Sequence, residues 1–377
     1  MKAYWKLLVL LLCLVVLCSC SDEPISLETT DPSTASSVSI VEGSSVNESS
    51  FFEVHFLDVG QADAALVLCD GAAMLIDGGN AEDSGLIYSY QKNHGISHLE
   101  YIICTHPHED HVGGLSGALN YTTVGTAYCA MTEYDSKTFQ SFKKYLEKQG
   151  KEIQVPIVGE SFSLGSATVT MIGPLGHYSE PNNMSIVLRI QYGNTSFLFA
   201  GDAEIDSEQD ILNAGTVLES TLLKVGHHGS DTSTSYRWLR EIAPEYAVIS
   251  VGKNNSYGHP AEQTLSRLRD ADVTLFRTDL QGHIICSSDG TSLTFSVERN
   301  ATADTFATEN HVTTSTGQSN TTSGTNTSYV LNTNTYKFHY PHCSSVKQMA
   351  AKNRKDVTLP REEIIAMGYF PCGRCDP

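Results

Sequence analysis

The sequence predicts an α/β protein whose short buried strands end in polar residues that could bind a metal. The clearest strand is the apolar run from Tyr101 to Thr105, which Pro107 stops. An amphipathic pattern from Thr138 to Lys151 predicts a helix with one apolar face. Further strand patterns are also followed directly by glycine, aspartate or histidine, at residues 73–76, 195–200, 221–225 and 247–251. We therefore expect these polar residues to converge at one rim of the fold.

Four potential metal ligands fall within six residues directly after the strand at 101–105; they are His106, His108, Asp110 and His111. The two alternating histidines can reach one ion, while the Asp-His pair lies past a bend and can face a second ion. Imidazole and carboxylate ligands suit zinc or a similar divalent cation. An open position on such an ion lowers the pKa of bound water to about 7, so the spacing indicates hydrolysis by a metal-bound hydroxide. The simpler interpretation is a solvated, histidine-rich turn.

The motif His106-x-His108-x-Asp110-His111 resembles the signature of the metallo-β-lactamase fold hydrolases. This resemblance implies a four-layer αββα sandwich over residues 51–299, with one or two metal ions at its edge. We expect zinc in that site, with manganese as the alternative. Gly201-Asp202 stands where the family has its bridging aspartate.

The His227-His228 pair resembles the last metal motif of the family. By analogy with versions of this turn that have a single histidine, His228 is the expected ligand. His227 is then expected to pack nearby or to contact the substrate. The question of which of the two binds the metal stays open at this point.

The opening Asp58-Val-Gly-Gln61-Ala-Asp63, followed by Asp77-Gly-Gly, is similar to the ComEC competence-protein family. Asp77 either supports a metal ligand from behind or caps a helix. Asp63 is either a turn carboxylate or a substrate contact.

The same resemblance implies further residues with roles in catalysis. Most of the wider family has a metal-binding histidine near Asn183, and we expect the Asn183 amide to point into the metal pocket instead. The centre then holds one ion, or two ions unevenly. Ser230 is expected to present a donor to an anionic transition state. His259, in the element Asn-x-Tyr-Gly-His-Pro, is expected to donate a proton or to stabilise an oxyanion.

The first 50 residues have the pattern of an exported lipoprotein. Residues 1–20 carry Lys2 and Lys6 ahead of an apolar run and end in Leu17-Cys-Ser-Cys20, which resembles a bacterial lipobox with its lipid on Cys20. An uncleaved anchor or an ordinary signal peptide are the alternatives, and all three place the body outside the cytoplasm. Residues 21–50 are rich in Ser, Thr and acidic residues, which predicts a disordered tether.

A second, smaller module is predicted at the carboxyl end, after a Ser/Thr/Asn-rich linker at 300–328. Residues 329–377 contain His339-x₃-Cys343 and Cys372-x₂-Cys375, a spacing typical of a structural zinc site. The module resembles the zinc-binding element of the DNA-repair regulator Ada, with His339 where that family has its alkyl-accepting cysteine. Disulfides among these cysteines are the alternative.

The resemblances to the ComEC family and to the Ada zinc element together imply a metal-dependent phosphodiesterase or nuclease that acts on DNA or nucleotides, with Asp110 expected to orient the nucleophile. The net charge of −19 excludes a broad basic surface, so a nucleic acid must be held by local groups. One alternative is a β-lactamase or lactonase that uses the same metals on a carbonyl carbon. A second alternative is a non-catalytic surface protein that binds DNA or other anions.

Overall fold

The computed structural model describes residues 51–307, 327–333, 337–347, 349–372, 375 and 377. The predicted targeting segment, Cys20 and the tether lie outside the described residues, as does most of the predicted linker. Within the described ranges, no helix combines the length and apolar character that crossing a bilayer requires.

Fifteen strands form two sheets in residues 51–307. In chain order they are β1 (Phe52–Phe56), β2 (Ala65–Cys69), β3 (Ala72–Ile76), β4 (His98–Ile103), β5 (Thr123–Tyr128), β6 (Ile153–Gln154), β7 (Ser161–Leu164), β8 (Ala167–Gly173), β9 (Val187–Tyr192), β10 (Thr195–Phe199), β11 (Leu222–Lys224), β12 (Tyr246–Ile249), β13 (Thr274–Arg277), β14 (Ile284–Ser288) and β15 (Leu293–Val297). The first sheet has the order β15-β14-β1-β2-β3-β4-β5-β6, and the second has the order β13-β12-β11-β10-β9-β8-β7.

The α-helices of this part lie between the strands. They are α1 (Ser84–Asn93), α2 (Glu109–Val112), α3 (Leu115–Tyr121), α4 (Lys137–Lys148), α5 (Ile205–Ala214), α6 (Tyr236–Ile242), α7 (Glu262–Asp270) and α8 (Thr278–Gln281). Helix α4 begins where the Ser136 side chain accepts a hydrogen bond from the Phe139 amide. It buries Phe139, Phe142 and Leu146, which recur at helical spacing.

Three apolar layers hold the two sheets and the helices together. Between the sheets, the Phe52 ring of β1 lies 4.7 Å from the Phe197 ring of β10. The outer face of the first sheet packs against α1, α3 and α4, through residues such as Ile87 and Leu115. The outer face of the second sheet packs against α5, α6 and α7, where Trp238 is fully buried. This arrangement is the predicted αββα sandwich.

Each sheet has one parallel half, and these halves position the functional loops. Strands β3 to β6 are parallel to one another, and so are β10 to β13. The loops that follow parallel strands leave the sheet at the same edge. The ligand-bearing segments after β4, β10, β11 and β12 therefore meet along one rim.

Packing continues past Arg299, where the sequence places the end of the domain. The buried Arg277 side chain donates hydrogen bonds to the backbone carbonyls of Thr305 and Ala307. Phe306 packs against the core of the second sheet. The described part of this domain therefore runs to Ala307.

The carboxyl-terminal module has its own small sheet of order β18-β16-β17-β19. Its elements are β16 (Thr327–Asn332), β17 (Lys337–His339), α9 (Ser344–Lys347), β18 (Arg354–Leu359), α10 (Arg361–Ala366) and β19 (Phe370–Pro371). Strand β16 includes the end of the predicted linker. Arg361 of this module forms an ion pair with Asp270 and a hydrogen bond with Tyr236 of the larger domain.

Two glycine pairs, Gly78-Gly79 after β3 and Gly113-Gly114 after β4, lie where the two loops contact each other. Gly78 donates to the His111 carbonyl at 2.7 Å, and Gly114 donates to the Gly79 carbonyl at 3.2 Å. A Cβ atom on Gly114 would overlap the Gly78 carbonyl oxygen. Only glycine permits this approach of the two backbones.

We expect Gly114→Ala to lower the free energy of unfolding by about 1–3 kcal/mol, because the methyl group forces the two loops apart. Urea denaturation of the purified domain measures this change. Gly85→Ala is the matched control, since nothing lies within 4 Å of that site and it is in helix α1. Equal stability of the Gly114→Ala variant and the wild type would contradict the prediction.

Candidate metal centre

Four side chains from three loops meet at the rim where the parallel strands end. Each offers one ligand atom, and these atoms all lie within 4.8 Å of one another; the residues are Asp110, His111, Asp202 and His228. Nε2 of His111 lies 3.3 Å from Oδ2 of Asp202. Nε2 of His228 lies 3.3 Å from Oδ2 of Asp110 and 3.6 Å from Oδ2 of Asp202. We call these residues the four-ligand group.

The buried atoms of the four-ligand group fit a divalent cation. Nε2 of His111, Nε2 of His228 and Oδ1 of Asp202 are buried and have no hydrogen-bond partner. Buried polar atoms without partners are costly, and the two Nε2 atoms both lie within 3.6 Å of Asp202 Oδ2, so they indicate a ligand at this point. Imidazole and carboxylate donors are those that zinc and similar ions prefer.

Electrostatics within the four-ligand group also favour a cation. Burial alone would lower the pKa of His228, but the carboxylates of Asp202 and Asp63 outweigh burial and raise it to about 10. Burial likewise opposes a raised pKa at His111, yet Asp202, Asp77 and Asp110 raise it well above its usual value. The carboxylates thus attract positive charge to this point, either protons on the imidazoles or a metal ion that replaces them.

The histidine pair His106 and His108 lies beside the four-ligand group. Nε2 of His106 is 3.0 Å from Nδ1 of His108 and 3.9 Å from Oδ2 of Asp202. Ser185 Oγ accepts a hydrogen bond from the Asp202 amide and lies 3.3 Å from Nδ1 of His106. A second cation here would share Asp202 with the first.

Asp77 holds one ligand of the four-ligand group from behind. Its Oδ2 lies 2.8 Å from Nδ1 of His111, and its carboxylate also accepts hydrogen bonds from the amide and the hydroxyl of Thr105. A proton on Nδ1 leaves Nε2 of His111 free to bind a metal. The sequence left open whether Asp77 supports a metal ligand or caps a helix, and the structure shows that it supports the ligand His111.

Asp63 holds the other histidine ligand and is itself paired with a buried lysine. Its Oδ1 lies 3.3 Å from Nδ1 of His228, and its Oδ2 lies 2.9 Å from Nζ of Lys224. His228 Nδ1 is also 3.0 Å from the Ser250 carbonyl. Burial would raise the pKa of Asp63, but Lys224 and then His228 outweigh it and hold the pKa below its usual value. Asp63 is therefore neither a turn carboxylate nor a substrate contact, which were the two alternatives from the sequence.

Asn182, rather than Asn183, faces the metal ligands, which corrects the sequence expectation. The Asn183 Oδ1 atom accepts hydrogen bonds from the amides of Glu204 and Ser207 at the start of helix α5. Residues Pro181–Met184 form a 3₁₀ turn, which points neighbouring side chains in different directions. Asn182 Nδ2 instead lies 3.4 Å from Nε2 of His227, while its Oδ1 is buried without a partner.

Ser230 is also placed differently from the sequence expectation. Its hydroxyl accepts a hydrogen bond from the Thr232 amide and lies 3.0 Å from the Thr232 hydroxyl. The side chain is buried and used within its own turn. It is not among the residues that line the cleft described next.

An open cleft of about 380 Å³ lies over the four-ligand group. Its lining residues are Gln61, His108, Glu109, Asp110, Asn182, Asp202, His227, His228, Tyr257 and His259. His227 lies beside the four-ligand group, with Nε2 3.7 Å from Asp202 Oδ2 and Nδ1 3.4 Å from Glu204 Oε1. Asp110 keeps a third of its side chain exposed and so faces both the metal ligands and the cleft.

His259 has a defined protonation state at the wall of this cleft. Gln61 Oε1 accepts a hydrogen bond from the Gly252 amide, so its Nε2 faces Nδ1 of His259 at 3.4 Å. Nδ1 of His259 is then an acceptor, and the ring proton is on Nε2. Burial, followed by the nearby His227 and His228, lowers the pKa of His259 to about 4. His259 is thus a neutral hydrogen-bond donor at pH 7.

The carboxyl-terminal module contains a second metal-ligand cluster. Ligand atoms of His339, Cys343, Cys372 and Cys375 lie within 4.8 Å of one another, and the three cysteines are free thiols. Both ring nitrogens of His339 are buried without a hydrogen-bond partner. Burial would raise the pKa of Cys343, but the nearby His339 ring outweighs it and lowers the pKa to about 6. These donors fit a structural zinc ion, which would stabilise the small fold.

Sequence reasoning missed three residues that shape the site. Lys224 stands inside an apolar strand, and a charge in such a run signals a buried partner. Gln61 was part of a recognised motif, but its contact with His259 joins residues 198 positions apart. The sequence does not show which of Asn182 and Asn183 faces the cleft, because this depends on how the 3₁₀ turn orients the two side chains.

Residues 57–253 match the sequence profile of the metallo-beta-lactamase superfamily. ComE operon protein 3 of Bacillus subtilis is 27% identical over 251 residues, which are 62% of this chain and 32% of that protein. Recombination protein 2 of Haemophilus influenzae is 30% identical over 242 residues, which are 62% of this chain and 28% of that protein. The chain thus spans about a third of the length of the curated relatives it matches.

Among solved structures, the metallo-beta-lactamase fold protein YhfI from Bacillus subtilis is one that the chain matches. It is 12% identical, has a TM-score of 0.42, and covers 63% of this chain and 100% of its own. The expected similarity to both the superfamily and the ComEC-type competence proteins is confirmed by the matched profile and the named relatives.

We expect Lys224→Met to lower the free energy of unfolding by about 3–5 kcal/mol, because it leaves the Asp63 carboxylate buried without its cation. The double variant Asp63→Asn, Lys224→Met should recover part of that stability, since no buried charge remains. It should still bind metal about 10- to 100-fold more weakly, because His228 has lost its supporting carboxylate. Urea denaturation and competition with a chelating dye measure the two effects. A Lys224→Met variant as stable as the wild type would show that the ion pair has no such role.

Proposed function

We propose, because the chain belongs to the metallo-β-lactamase superfamily, that it hydrolyses phosphodiester bonds in DNA or nucleotides. The superfamily is one of metal-dependent hydrolases, and the chain is such an enzyme. Relatives named for competence and recombination support a substrate related to DNA. The observation that carries the proposal is the four-ligand group at the floor of an open cleft, with a neutral imidazole donor on the cleft wall.

The cleft needs a cation before it can accept an anionic substrate. The carboxylates of Asp63, Asp77, Asp110 and Asp202 lie in or directly behind it. Lys224 and the two histidines with raised pKa values, His111 and His228, offset only three of these four negative charges. A phosphodiester would be repelled by this excess of negative charge. A bound divalent cation would reverse the local field, polarise a phosphoryl oxygen and lower the pKa of a water molecule.

The residues of the chain then divide the remaining tasks. Asp110, which faces both the ligands and the cleft, accepts a hydrogen bond from the attacking water and orients it. Nε2–H of His259 donates a hydrogen bond to an oxygen that gains charge in the transition state. Because His259 is neutral at pH 7, it stabilises this oxygen as a donor and does not carry a full positive charge. Asn182 offers an amide in the lining of the same cleft, beside His227.

Zinc in one or two copies is the proposed ion of the cleft, with manganese as the alternative, and zinc is proposed for the carboxyl-terminal cluster. Imidazole with carboxylate suits either ion, whereas the thiolate-rich cluster favours zinc. The hydrolase site would hold its first ion in the four-ligand group. The histidine pair and Asp202 offer a second position with fewer ligands.

We expect purified protein to cleave bis(p-nitrophenyl) phosphate and oligonucleotides, with loss of activity after chelation and recovery on adding metal.

His259→Ala should lower kcat by about 10²–10³-fold at unchanged metal content, because one donor to the developing charge is gone. Steady-state kinetics and elemental analysis measure both quantities. Turnover of nitrocefin or a lactone, with none of any phosphodiester, would favour the carbonyl alternative and contradict the proposal.

We also propose that the enzyme acts outside the cytoplasm, anchored to the bacterial membrane by a lipid on Cys20. The support is the lipobox pattern and the Ser/Thr-rich segment that follows it. Metabolic labelling with a radioactive fatty acid should label the wild type and leave Cys20→Ala unlabelled. A wild type without label, or a variant with as much label as the wild type, would contradict lipid attachment at Cys20.

A further inference from the structure

Tyr257 is an exposed aromatic ring at the mouth of the cleft. Its exposed fraction is 73%, although a tyrosine ring usually gains by burial. Among the described residues, the other large exposed hydrophobic side chains lie outside the lining of the cleft. A large ring left in solvent beside a catalytic cleft is a surface on which a substrate can pack.

The loop that carries Tyr257 is held in place by one side chain. Asn255 Oδ1 accepts hydrogen bonds from the amides of Tyr257 and His259, at 3.1 and 3.0 Å. Asn255 Nδ2 donates to the carbonyls of Gly252 and His259, at 2.9 and 2.6 Å. The backbone that presents the ring is therefore ordered before a ligand arrives, which reduces the entropic cost of binding.

Three aromatic rings form a continuous wall from the solvent to the metal ligands. The Tyr257 ring is nearly parallel to that of His259, with centroids 5.7 Å apart and an interplanar angle of 24°. The His259 ring lies 5.6 Å from that of His227. His227 in turn lies beside Asp202 of the four-ligand group. A flat group attached to a phosphate held at the metal ligands would extend along this wall.

Charge leaves few other ways to hold a nucleic acid near this cleft. The chain carries a net charge of −19, and the cleft wall includes Glu109 and Asp110. Phosphate contacts, which normally dominate the affinity for nucleic acids, need basic residues. Stacking of a base on an aromatic ring needs none, and it tolerates every base because each has a π face. Bases in a duplex already stack on one another, so only an unpaired base can use the ring.

We propose that Tyr257 is a stacking platform for an unpaired base next to the scissile phosphate, and that the enzyme therefore prefers single-stranded nucleic acid. This inference rests on the proposed phosphodiesterase function. It makes Tyr257 a residue that determines substrate specificity, while the four-ligand group and His259 act on any phosphodiester.

The test compares the wild type with Tyr257→Ala and Tyr257→Phe on three labelled substrates. These are a short oligothymidylate, the same phosphate backbone with abasic residues, and a duplex of mixed sequence. Phe51→Ala is the matched control, because it removes another exposed aromatic ring that does not line the cleft.

We expect Tyr257→Ala to lower kcat/KM on the oligothymidylate by roughly 5- to 150-fold, mainly through KM, because stacking stabilises bound substrate and transition state alike. Tyr257→Phe should stay within about twofold of the wild type, since it keeps the ring face. Neither change should alter hydrolysis of the abasic backbone, and the wild type should cleave the duplex more slowly than the single strand.

Equal losses on the base-bearing and abasic substrates, or no loss on either, would overturn the proposal while leaving phosphodiesterase activity intact. Cleavage of the duplex as fast as the single strand would also overturn it. A wild type that cleaves none of the three substrates, although metal is bound, would instead overturn the proposed function and this inference with it.

Discussion

The rest of the structure depends on the crowding of buried carboxylates and imidazoles at one rim of the sandwich. Three loops bring Asp110, His111, Asp202 and His228 together, although Nε2 of both histidines and Oδ1 of Asp202 are buried there without hydrogen-bond partners. Such an arrangement is unfavourable without added positive charge. The parallel strands and the glycine pairs hold the loops in place, so the fold keeps this arrangement although its electrostatic free energy is unfavourable. A divalent cation would relieve it, and the same relief would make the site reactive.

A second layer of residues determines which atoms face the ion. Asp77 and Asp63 each lie at the Nδ1 side of one histidine ligand, so that both Nε2 atoms point to the same place. Lys224 offsets the charge of Asp63 and keeps this part of the core near neutral. Farther out, Gln61 fixes the tautomer of His259. Beyond the ligands, the lining of the cleft combines the neutral imidazole of His259 and the ring of Tyr257 with the carboxylates of Glu109 and Asp110.

The sequence predicts well which segments meet at the rim of the sandwich. Asp110 and His111 after β4, the aspartate after β10 and the histidine after β11 all follow short apolar runs, and the structure brings them together. Side-chain direction within an irregular turn is harder, because one residue of phase separates Asn182 from Asn183. The Ser230 hydroxyl likewise accepts a hydrogen bond within its own loop, from the Thr232 amide, and does not face the cleft. The Asp63 and Lys224 pair joins positions 161 residues apart, and no local pattern records such a partnership.

The most direct test of this account is the location of bound metal in crystals of the protein purified without a chelator. Anomalous diffraction collected on either side of the absorption edge of the ion found by elemental analysis would locate it. The account predicts one strong peak among Asp110, His111, Asp202 and His228. The absence of any peak there in a folded protein, with those four side chains hydrogen-bonded to one another or to water, would contradict it.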